Sequence, residues 1–256
     1  MVEFGLIGYP LEHSFSAEYF NKMFQRDRVE GKYTLYPIRD VSSMESIIEY
    51  NPNLIGLNVT IPYKETVCRF LDNISEEASE IKAVNVIKII RDKDERPPGP
   101  YKLIGYNTDW IGFVRSLSPI LDNSVSKALI LGTGGASKAI AFGLKKMGIK
   151  YTFVSRNKKD HNKITYDDLN REIIENHLLI INTTPLGMFP NEKNFPDIPY
   201  EFLTSNHLCY DLIYNPAVTE FMKKSSSYGA KVKNGLEMLH LQADEALRIW
   251  TSEDCF

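Results

Sequence analysis

The sequence has little cysteine, and its three cysteines lie too far apart along the chain to suggest a shared site. Cys68, Cys209 and Cys255 form neither a disulfide framework nor a CxxC metal pattern. The histidines are also scattered, and no cluster of His, Cys and Asp has the spacing of metal ligands. We therefore expect a protein of the reducing cytoplasm that needs no metal ion.

The sequence also lacks a long apolar run and a large excess of either charge. No basic segment followed by an apolar one opens the chain, so we expect neither a signal peptide nor a transmembrane helix. The net charge of −3 argues against a nucleic-acid-binding protein, which would have to neutralise many phosphates. The 256 residues suit one large domain or two modest ones.

What the chain does contain is an alternation of strand-like and helix-like segments. In the first hundred residues "EFGLIGY", "YTLYPI" and "LIGLNVTI" alternate with "AEYFNKMF", "SSMESIIEY" and "KETVCRFL", which predicts an α/β layer with parallel strand pairing. The β-rich runs "AVNVIKII" and "YKLIGYN" flank "RDKDERPPGP", whose charges and prolines indicate a solvated loop. This pair is predicted to form a hairpin.

A second set of strand–helix units begins near residue 105. The predicted fold is therefore α/β with two α/β domains: residues 1–104 with a C-terminal helix at 237–256, and a Rossmann-like domain at 105–236. The last helix, "LEMLHLQADEALRIW", is predicted to return to the first domain. Its expected apolar stripe consists of Leu236, Leu239, Ala243, Leu247 and Trp250.

The stretch "LILGTGGASKA" has the order strand, glycine-rich turn, helix. Gly132 and Gly134 occupy the first two positions of the dinucleotide-binding fingerprint, and Ser137 occupies the third. A side chain at Gly134 would hold the backbone away from a pyrophosphate, which the N–H groups of a helix N-terminus can bind. Glycine also simply permits tight turns, so the alternative is a structural turn.

The end of the following strand indicates which dinucleotide would bind. NAD-binding domains place Asp or Glu there, whereas this chain has Ser155 and Arg156 followed by Lys158 and Lys159. A guanidinium and nearby ammonium groups suit a 2′-phosphate, so NADP is expected over NAD. The alternative is an ordinary solvated loop, and Asp160 weakens the basic character of the segment.

The stretch "LNVTIPYKET" combines a buried strand pattern with polar side chains. Leu57, Val59 and Ile61 alternate with Asn58 and Thr60, as in a strand with one apolar face. The residues between them could face solvent on an edge strand. They could instead form an active-site corner, with a lysine delivered just beyond the strand.

The chain resembles the shikimate dehydrogenases in ordered motifs along nearly its whole length. The motifs are "GYPLEHSFSAEYFN" (8–21), "NVTIPYK" (58–64), "AVN" (83–85), "GYNTD" (105–109), "GTGGAS" (132–137), "SRN" (155–157), "INTTPLGM" (181–188), "YDLIYNP" (210–216) and "NGLEMLHLQA" (234–243). The resemblance implies reversible NADPH-dependent reduction of 3-dehydroshikimate to shikimate. That reaction belongs to the pathway to chorismate and the aromatic amino acids.

The resemblance also implies roles for individual residues. Lys64 and Asp109 match the catalytic pair. Substrate-binding positions are matched by Ser14 and Ser16, which would hold the carboxylate, and by Asn58, Thr60, Asn85, Tyr214 and Gln242. Positions contacting NADP are matched by Gly132, Thr133, Gly134, Gly135, Ala136, Ser155, Arg156, Thr183, Leu212, Gly235 and Met238. The small-molecule substrate and NADP are the expected partners, for a monomer or a homodimer.

Several of these residues also have a plain structural interpretation. Ser16 could cap a helix, and Asp109 could be a favourable acid in a first turn. Lys64 could be a surface lysine, although a position at a helix start would make its proton easier to lose. Gln242 could form a hydrogen bond between two helices.

Two rival functions stay open at this stage. One is a quinate/shikimate dehydrogenase that uses NAD or both cofactors. The other is a catalytically idle NADP-binding regulatory protein, against which the presence of both Lys64 and Asp109 argues.

Overall fold

The computed structural model describes residues 1–11, 15–91, 99–157 and 163–252. It divides the chain into two compact units, Met1–Thr108 with Ala243–Phe256, and Asp109–Gln242. The two boundaries between the units, 108/109 and 242/243, lie four and six residues beyond the boundaries predicted from the sequence, 104/105 and 236/237. The assignment of the first unit to substrate and of the second to cofactor stays a prediction. No helix among the described residues is long and apolar enough to cross a membrane.

The first unit is a mixed six-stranded sheet with the order β2-β1-β3-β5-β6-β4. Its strands are β1 (Val2–Gly8), β2 (Gly31–Pro37), β3 (Leu54–Val59), β4 (Asn73–Ile74), β5 (Val86–Arg91) and β6 (Tyr101–Tyr106). Its helices are α1 (Phe15–Asp27), α2 (Ser43–Tyr50) and α3 (Glu76–Ile81). β1 pairs in parallel with β2 and β3, whereas β5 pairs antiparallel with β3 and β6. The predicted β5–β6 hairpin is confirmed, and the prediction of parallel pairing holds for only part of the sheet.

Two apolar layers cover the two faces of this sheet. One layer contains Met44 and Ile48 of α2 against Ile7 and Leu57, all fully buried. The other contains side chains of α1 and of the C-terminal part of helix α8 (Leu236–Thr251). The alternation of the strand side chains between the two layers makes the unit a three-layer α/β/α structure.

The second unit is an all-parallel sheet with the order β12-β11-β10-β7-β8-β9. Its strands are β7 (Lys127–Leu131), β8 (Lys150–Ser155), β9 (Lys163–Thr165), β10 (Leu179–Asn182), β11 (Leu208–Asp211) and β12 (Lys231–Lys233). Its helices are α4 (Asp109–Leu117), α5 (Gly135–Lys146), α6 (Arg171–Asn176) and α7 (Glu220–Ser227), together with the start of α8. This strand order is that of doubly wound dinucleotide-binding folds, which confirms the Rossmann-like prediction. In such sheets ligands bind beyond the carboxyl ends of the strands where the order reverses, which here is at β7 and β10.

One local prediction from the sequence is wrong, and another holds only in part. "KETVCRFL" forms no α-helix but a 3-10 helix over Thr66–Phe70. The carbonyl of Lys64, which would accept an intrahelical bond, accepts the backbone N–H of Val84 at 2.7 Å. In α8, Leu236 is exposed, whereas Ala246 and Ile249 are buried. The helix packs on the second unit near Met238 and on the first beyond Ala243, so no single stripe runs its length.

Candidate functional site

Asn58 lies in the interior of the first sheet and not at its edge. β3 pairs with β1 on one side and with β5 on the other, so the edge-strand interpretation of "LNVTI" is wrong. Asn58 is 7% exposed, and Thr60, just beyond the strand, is half-buried. Ile61, which the alternation predicted to be buried, is 70% exposed. A polar side chain this buried needs hydrogen-bond partners within the protein, because little of its surface is accessible to water.

The AVN segment (residues 83–85) holds the surrounding backbone together. The N–H of Val84 donates to the carbonyl of Lys64 at 2.7 Å. The side-chain amide of Asn107 donates to the carbonyl of Ala83 at 2.9 Å. These bonds connect the turn that carries Lys64 to the chain segment that follows β6.

Asn85 makes the next set of connections. Its carbonyl accepts the N–H of Val59 at 2.8 Å and the side-chain N–H of Asn58 at 3.2 Å. Its side-chain oxygen accepts the N–H of Thr108 at 2.7 Å, and its Nδ2 donates to the Thr108 hydroxyl at 3.1 Å. Asp109 follows Thr108 directly in the chain. Asn85 is 2% exposed, so these bonds are shielded from water.

Lys64 is half-buried rather than fully exposed. It lies two residues before the 3-10 helix, so the α-helix start proposed from the sequence does not exist at this position. Its place is determined by the bond from Val84 to its carbonyl and by Tyr63, whose hydroxyl donates to the carbonyl of Ile38 at 2.6 Å. Because its backbone is held at several points, binding a ligand at Lys64 requires little further ordering of the main chain.

Asp109 is the first residue of α4 and is 7% exposed. One turn further along the helix, a Cβ on Gly112 would lie 2.6 Å from the carbonyl of Met238 and 3.0 Å from the Cβ of Gln242. Glycine therefore permits α4 and α8 to approach backbone to backbone. Within the second unit this contact places half-buried Gln242 beside the helix that begins with Asp109.

The remaining predicted substrate residues are described in part. Ser14 lies outside the described residues. Because α1 begins at Phe15, Ser16 lies in the first turn and not at the N-cap, so helix capping does not explain it. Tyr214, in the second unit, is half-buried, and burial raises the pKa of its phenol, which keeps it a neutral hydroxyl at physiological pH.

The glycine-rich turn between β7 and α5 contains two differently placed glycines. Gly132 has φ +106°, and a Cβ there would lie 2.8 Å from the hydroxyl oxygen of Thr183. The Thr183 hydroxyl donates to the carbonyl of Leu131 at 2.7 Å, which joins the ends of β10 and β7. Gly134 has an ordinary φ of −80°, and a Cβ there would have no protein atom within 4 Å.

The open space at Gly134 fits a dinucleotide. Neither a neighbouring protein atom nor backbone strain requires glycine at Gly134. The missing side chain instead leaves room next to the backbone. Gly134 is the N-cap of the twelve-residue helix α5, whose first residues are Gly135 and Ala136. Thr133, in the turn itself, is exposed. The exposed N–H groups at this helix start can bind a pyrophosphate.

The third fingerprint position is structural. Ser137 is 1% exposed, and its hydroxyl donates to the carbonyl of Gly134 at 2.6 Å. It therefore ties the turn to the first turn of α5 where other dinucleotide-binding chains have glycine for close packing.

The predicted basic loop after β8 is described only at its start. Ser155 ends β8 and donates to the carbonyl of Asn157, and Arg156 is exposed. Lys158, Lys159 and Asp160 lie outside the described residues. Of the basic residues predicted on this loop, Arg156 is the one that the structure describes, and its exposed guanidinium is available to a 2′-phosphate.

Leu212, Gly235 and Met238 lie together in the second unit. A Cβ on Gly235 would lie 2.1 Å from the carbonyl oxygen of Leu212, so the two backbones are in direct contact. Met238 is 8% exposed and packs in the core together with the partly buried Leu212. Packing accounts for most of the Met238 surface, whereas Leu212 keeps part of its side chain accessible.

The sequence analysis missed a buried polar network at the ends of β10 and β11. Asp211 is fully buried and accepts bonds from the Thr219 hydroxyl at 2.6 Å and the Asn182 amide at 3.1 Å. Burial raises the pKa of Asp211 to about 6, although Thr219, the N–H of Ile213 and Asn182 all favour its charged form. Asn182 in turn accepts the Thr184 hydroxyl at 2.7 Å. The signal was a polar residue ending each of two adjacent apolar strands.

Within residues 1–11, 15–91, 99–157 and 163–252, no three His, Cys, Asp or Glu side chains lie close enough together to bind a metal ion.

Comparisons with known proteins identify relatives of the whole chain. Residues 6–87 match the family model described as the shikimate dehydrogenase substrate binding domain. The chain is 37% identical over 261 residues to "Shikimate dehydrogenase (NADP(+))" from Caldicellulosiruptor bescii, covering 96% of this chain and 88% of the relative.

Two solved structures are similar over nearly their full length. Shikimate dehydrogenase 1 from Peptoclostridium difficile is 36% identical, with a TM-score of 0.83 over 100% of this chain and 94% of that chain. Shikimate 5-dehydrogenase from Thermus thermophilus, in complex with NADP(H) and shikimate, is 28% identical. Its TM-score is 0.83, with 98% of this chain and 94% of that chain covered.

Proposed function

Because the chain belongs to the shikimate dehydrogenase family, we propose that it catalyses the reversible NADPH-dependent reduction of 3-dehydroshikimate to shikimate. The structural observation that supports this most strongly is the set of bonds around the AVN segment. They hold the backbone of Lys64, the side chain of Asn58 and the residue preceding Asp109 in one part of the first unit.

Lys64 and Asp109 are the proposed catalytic pair. When bound, NADPH supplies the hydride that reduces the carbonyl carbon. Lys64 gives a proton to the oxygen that becomes the hydroxyl and takes it back in the reverse direction. Asp109 hydrogen-bonds the same hydroxyl and orients the lysine. The protein otherwise contributes position, because the reacting groups must be held at bonding distance.

The proposed substrate contacts are polar groups suited to a carboxylated polyol. Ser14 and Ser16 donate to the carboxylate at the start of α1, where the helix dipole also favours an anion. The other contacts are Asn58, Thr60, Asn85, Tyr214 and Gln242.

The proposed NADP contacts all lie in the second unit, at or near the carboxyl ends of its strands. The pyrophosphate is bound at the glycine-rich turn, by residues Gly132, Thr133, Gly134, Gly135 and Ala136. Ser155 and Arg156 hold the phosphorylated ribose, and Thr183, Leu212, Gly235 and Met238 contact the rest of the cofactor. The open space at Gly134 and the exposed guanidinium of Arg156 support this arrangement.

The setting of the enzyme is part of the proposal. It acts in the cytoplasm, as a monomer or a homodimer, and binds neither nucleic acid nor membrane. Its product feeds the synthesis of chorismate and the aromatic amino acids.

The function is tested by following NADPH formation with shikimate and NADP in three proteins. We expect turnover by the wild type and a loss of about 100-fold or more in kcat for Lys64→Ala, the scale of general acid–base catalysis. Lys102→Ala, which removes an exposed lysine of β6, is the matched control and should keep the wild-type rate.

Two outcomes would contradict the proposal at different points. A wild type without turnover overturns the assigned reaction, and a Lys64→Ala variant at full rate overturns the assigned mechanism. Parallel assays with quinate and with NAD separate a strict shikimate dehydrogenase from a quinate/shikimate dehydrogenase, because only the latter turns over quinate.

A further inference from the structure

Tyr33 is a buried tyrosine of β2 to which no role has been assigned above. It is 3% exposed, and its ring stacks on Phe20 of α1 with centroids 4.6 Å apart and an interplanar angle of 11°. Trp250 of α8 lies 6.5 Å away, centroid to centroid. The ring is thus part of the apolar layer under α1 and α8, and packing fixes its position.

The hydroxyl of Tyr33 bonds to a polar side chain of the neighbouring sheet interior. It donates to the side-chain oxygen of Asn58 at 2.6 Å. Burial raises the pKa of Tyr33 well above its ordinary value, so the phenol keeps its proton at any physiological pH. Asn58 is a residue proposed above to bind substrate.

The orientation of the Asn58 amide follows from its two partners. Because the carbonyl of Asn85 can only accept, the atom that faces it at 3.2 Å is the amide nitrogen of Asn58. The amide oxygen is therefore the atom that accepts the phenolic O–H of Tyr33. A chain of hydrogen bonds thus runs from Tyr33 in β2 through Asn58 in β3 to Asn85. A buried network of this kind specifies one arrangement when every member is satisfied.

We propose that Tyr33 is a positioning residue of the substrate site, whose hydroxyl holds the Asn58 amide in place against the carbonyl of Asn85. The role follows from geometry: Tyr33 lies in β2 and Asn85 directly precedes β5, and the Asn58 side chain bonds to both. This inference rests on the proposed function for the identity of the substrate. The Tyr33 hydroxyl itself does not touch the reacting atoms.

Tyr33→Phe is the direct test, because it keeps the ring and removes only the oxygen. We expect the KM for shikimate to rise about fivefold to tenfold, the scale of one lost buried hydrogen bond, while the KM for NADP stays unchanged. Tyr200→Phe is the matched control. Its hydroxyl donates to the carbonyl of Pro196 at 2.7 Å within the second unit, so its loss should leave both KM values unchanged.

A double-mutant cycle separates positioning from a general loss of stability. If Tyr33 acts through Asn58, Tyr33→Phe should raise the KM for shikimate much less in an Asn58→Ala background than in the wild type. Equal effects in both backgrounds, or an equal rise of the KM for NADP, would overturn the proposal.

A crystal structure of Tyr33→Phe decides the positioning whatever the reaction turns out to be. We expect the Asn58 amide to rotate or to take a new hydrogen-bond partner. An unchanged position of the Asn58 side chain would overturn the inference even if the wild type is an active shikimate dehydrogenase. A wild type that shows no turnover of shikimate would instead overturn the proposed function.

Discussion

Gly132 and Gly134, in the glycine-rich turn, are glycine for different physical reasons. Gly132 has a left-handed backbone and a neighbour, Thr183, at 2.8 Å from an added Cβ, so the fold itself requires glycine. Gly134 has neither constraint. The room that its missing side chain leaves is what the proposed cofactor site uses.

Alanine should therefore affect a different property at each of these two glycines: stability at Gly132 and cofactor binding at Gly134. We expect Gly132→Ala to lower the free energy of unfolding by about 1–3 kcal/mol, because of backbone strain and contact with Thr183. Gly134→Ala should stay within about 1 kcal/mol of the wild type yet raise the KM for NADP on the order of tenfold. Urea titrations and steady-state kinetics measure the two quantities. A destabilised Gly134→Ala with an unchanged KM would contradict this view of the turn.

The buried carboxyl of Asp211 predicts a specific pH dependence. Its pKa of about 6 in the folded state lies above the ordinary value of 3.8, so the folded protein binds this proton more tightly than the unfolded chain. The contribution of Asp211 to the free energy of unfolding should therefore fall as pH rises from about 4 to about 6, by on the order of 2 kcal/mol.

Asp211→Asn removes that titration and gives the comparison. The free energy of unfolding of the wild type minus that of the variant should decrease over this pH range and level off above it. Urea unfolding at several pH values measures the difference. Parallel curves for the two proteins would show that Asp211 does not titrate in this window.

At the scale of structural elements, the C-terminal end of α8 is joined to the sheet of the first unit by specific side-chain contacts. Trp250 donates from its indole nitrogen to the carbonyl of Ile87 at 2.9 Å. Lys88 donates to the carbonyl of Ser252 at 2.7 Å, just beyond the end of the helix. Gly56 of β3 leaves the space that the indole fills, since a Cβ there would lie 2.3 Å from the ring. The C-terminal end of α8 is thus held by packing and by two hydrogen bonds at its last turn.

Gly56→Ala should loosen this end of the helix. We expect a loss of about 1–3 kcal/mol in the free energy of unfolding, because the indole cannot move without losing its bond to Ile87. Combining Gly56→Ala with Trp250→Leu should cost less than the sum of the two changes, because the smaller side chain relieves the clash. Additive losses in urea unfolding would mean that the methyl group does not act through Trp250.

Elements with strong local signals were predicted well, and elements shaped by distant contacts were not. The β5–β6 hairpin followed from two β-rich runs around a polar loop, and β7, α5 and β8 followed from the fingerprint. The segment "KETVCRFL", after Pro62, is helix-like in sequence, and an α-helix is expected there. Its first carbonyl bonds to Val84, 20 residues further along the chain, which no local pattern reveals.

On the scale of the whole molecule, the two units carry separate cores and different proposed ligand contacts. All the residues assigned to NADP lie in Asp109–Gln242. The chain has two tryptophans, Trp110 in the second unit and Trp250 in the first. Each can therefore report the unfolding of its own unit.

Single-tryptophan variants should show that NADP stabilises one unit more than the other. At about 100 times its Kd, NADP should raise the free energy of unfolding reported by Trp110 in Trp250→Phe by about 2.7 kcal/mol. The value reported by Trp250 in Trp110→Phe should rise by less, because the first unit contains none of the proposed cofactor contacts. Each variant is compared with itself without NADP in fluorescence-monitored urea titrations. Equal increases would show that the two units unfold together.

The sequence by itself determined the two α/β sets, the glycine-rich turn and the family motifs, because these depend on short-range patterns of side chains. Tertiary structure alone decided that Asn58 is interior, that Tyr33 bonds to it, and that α8 changes its packing partner along its length. The physical reason is the same in each case. Strand order and the bonds of buried polar groups join residues far apart in the chain, so their partners are known only once the chain has folded.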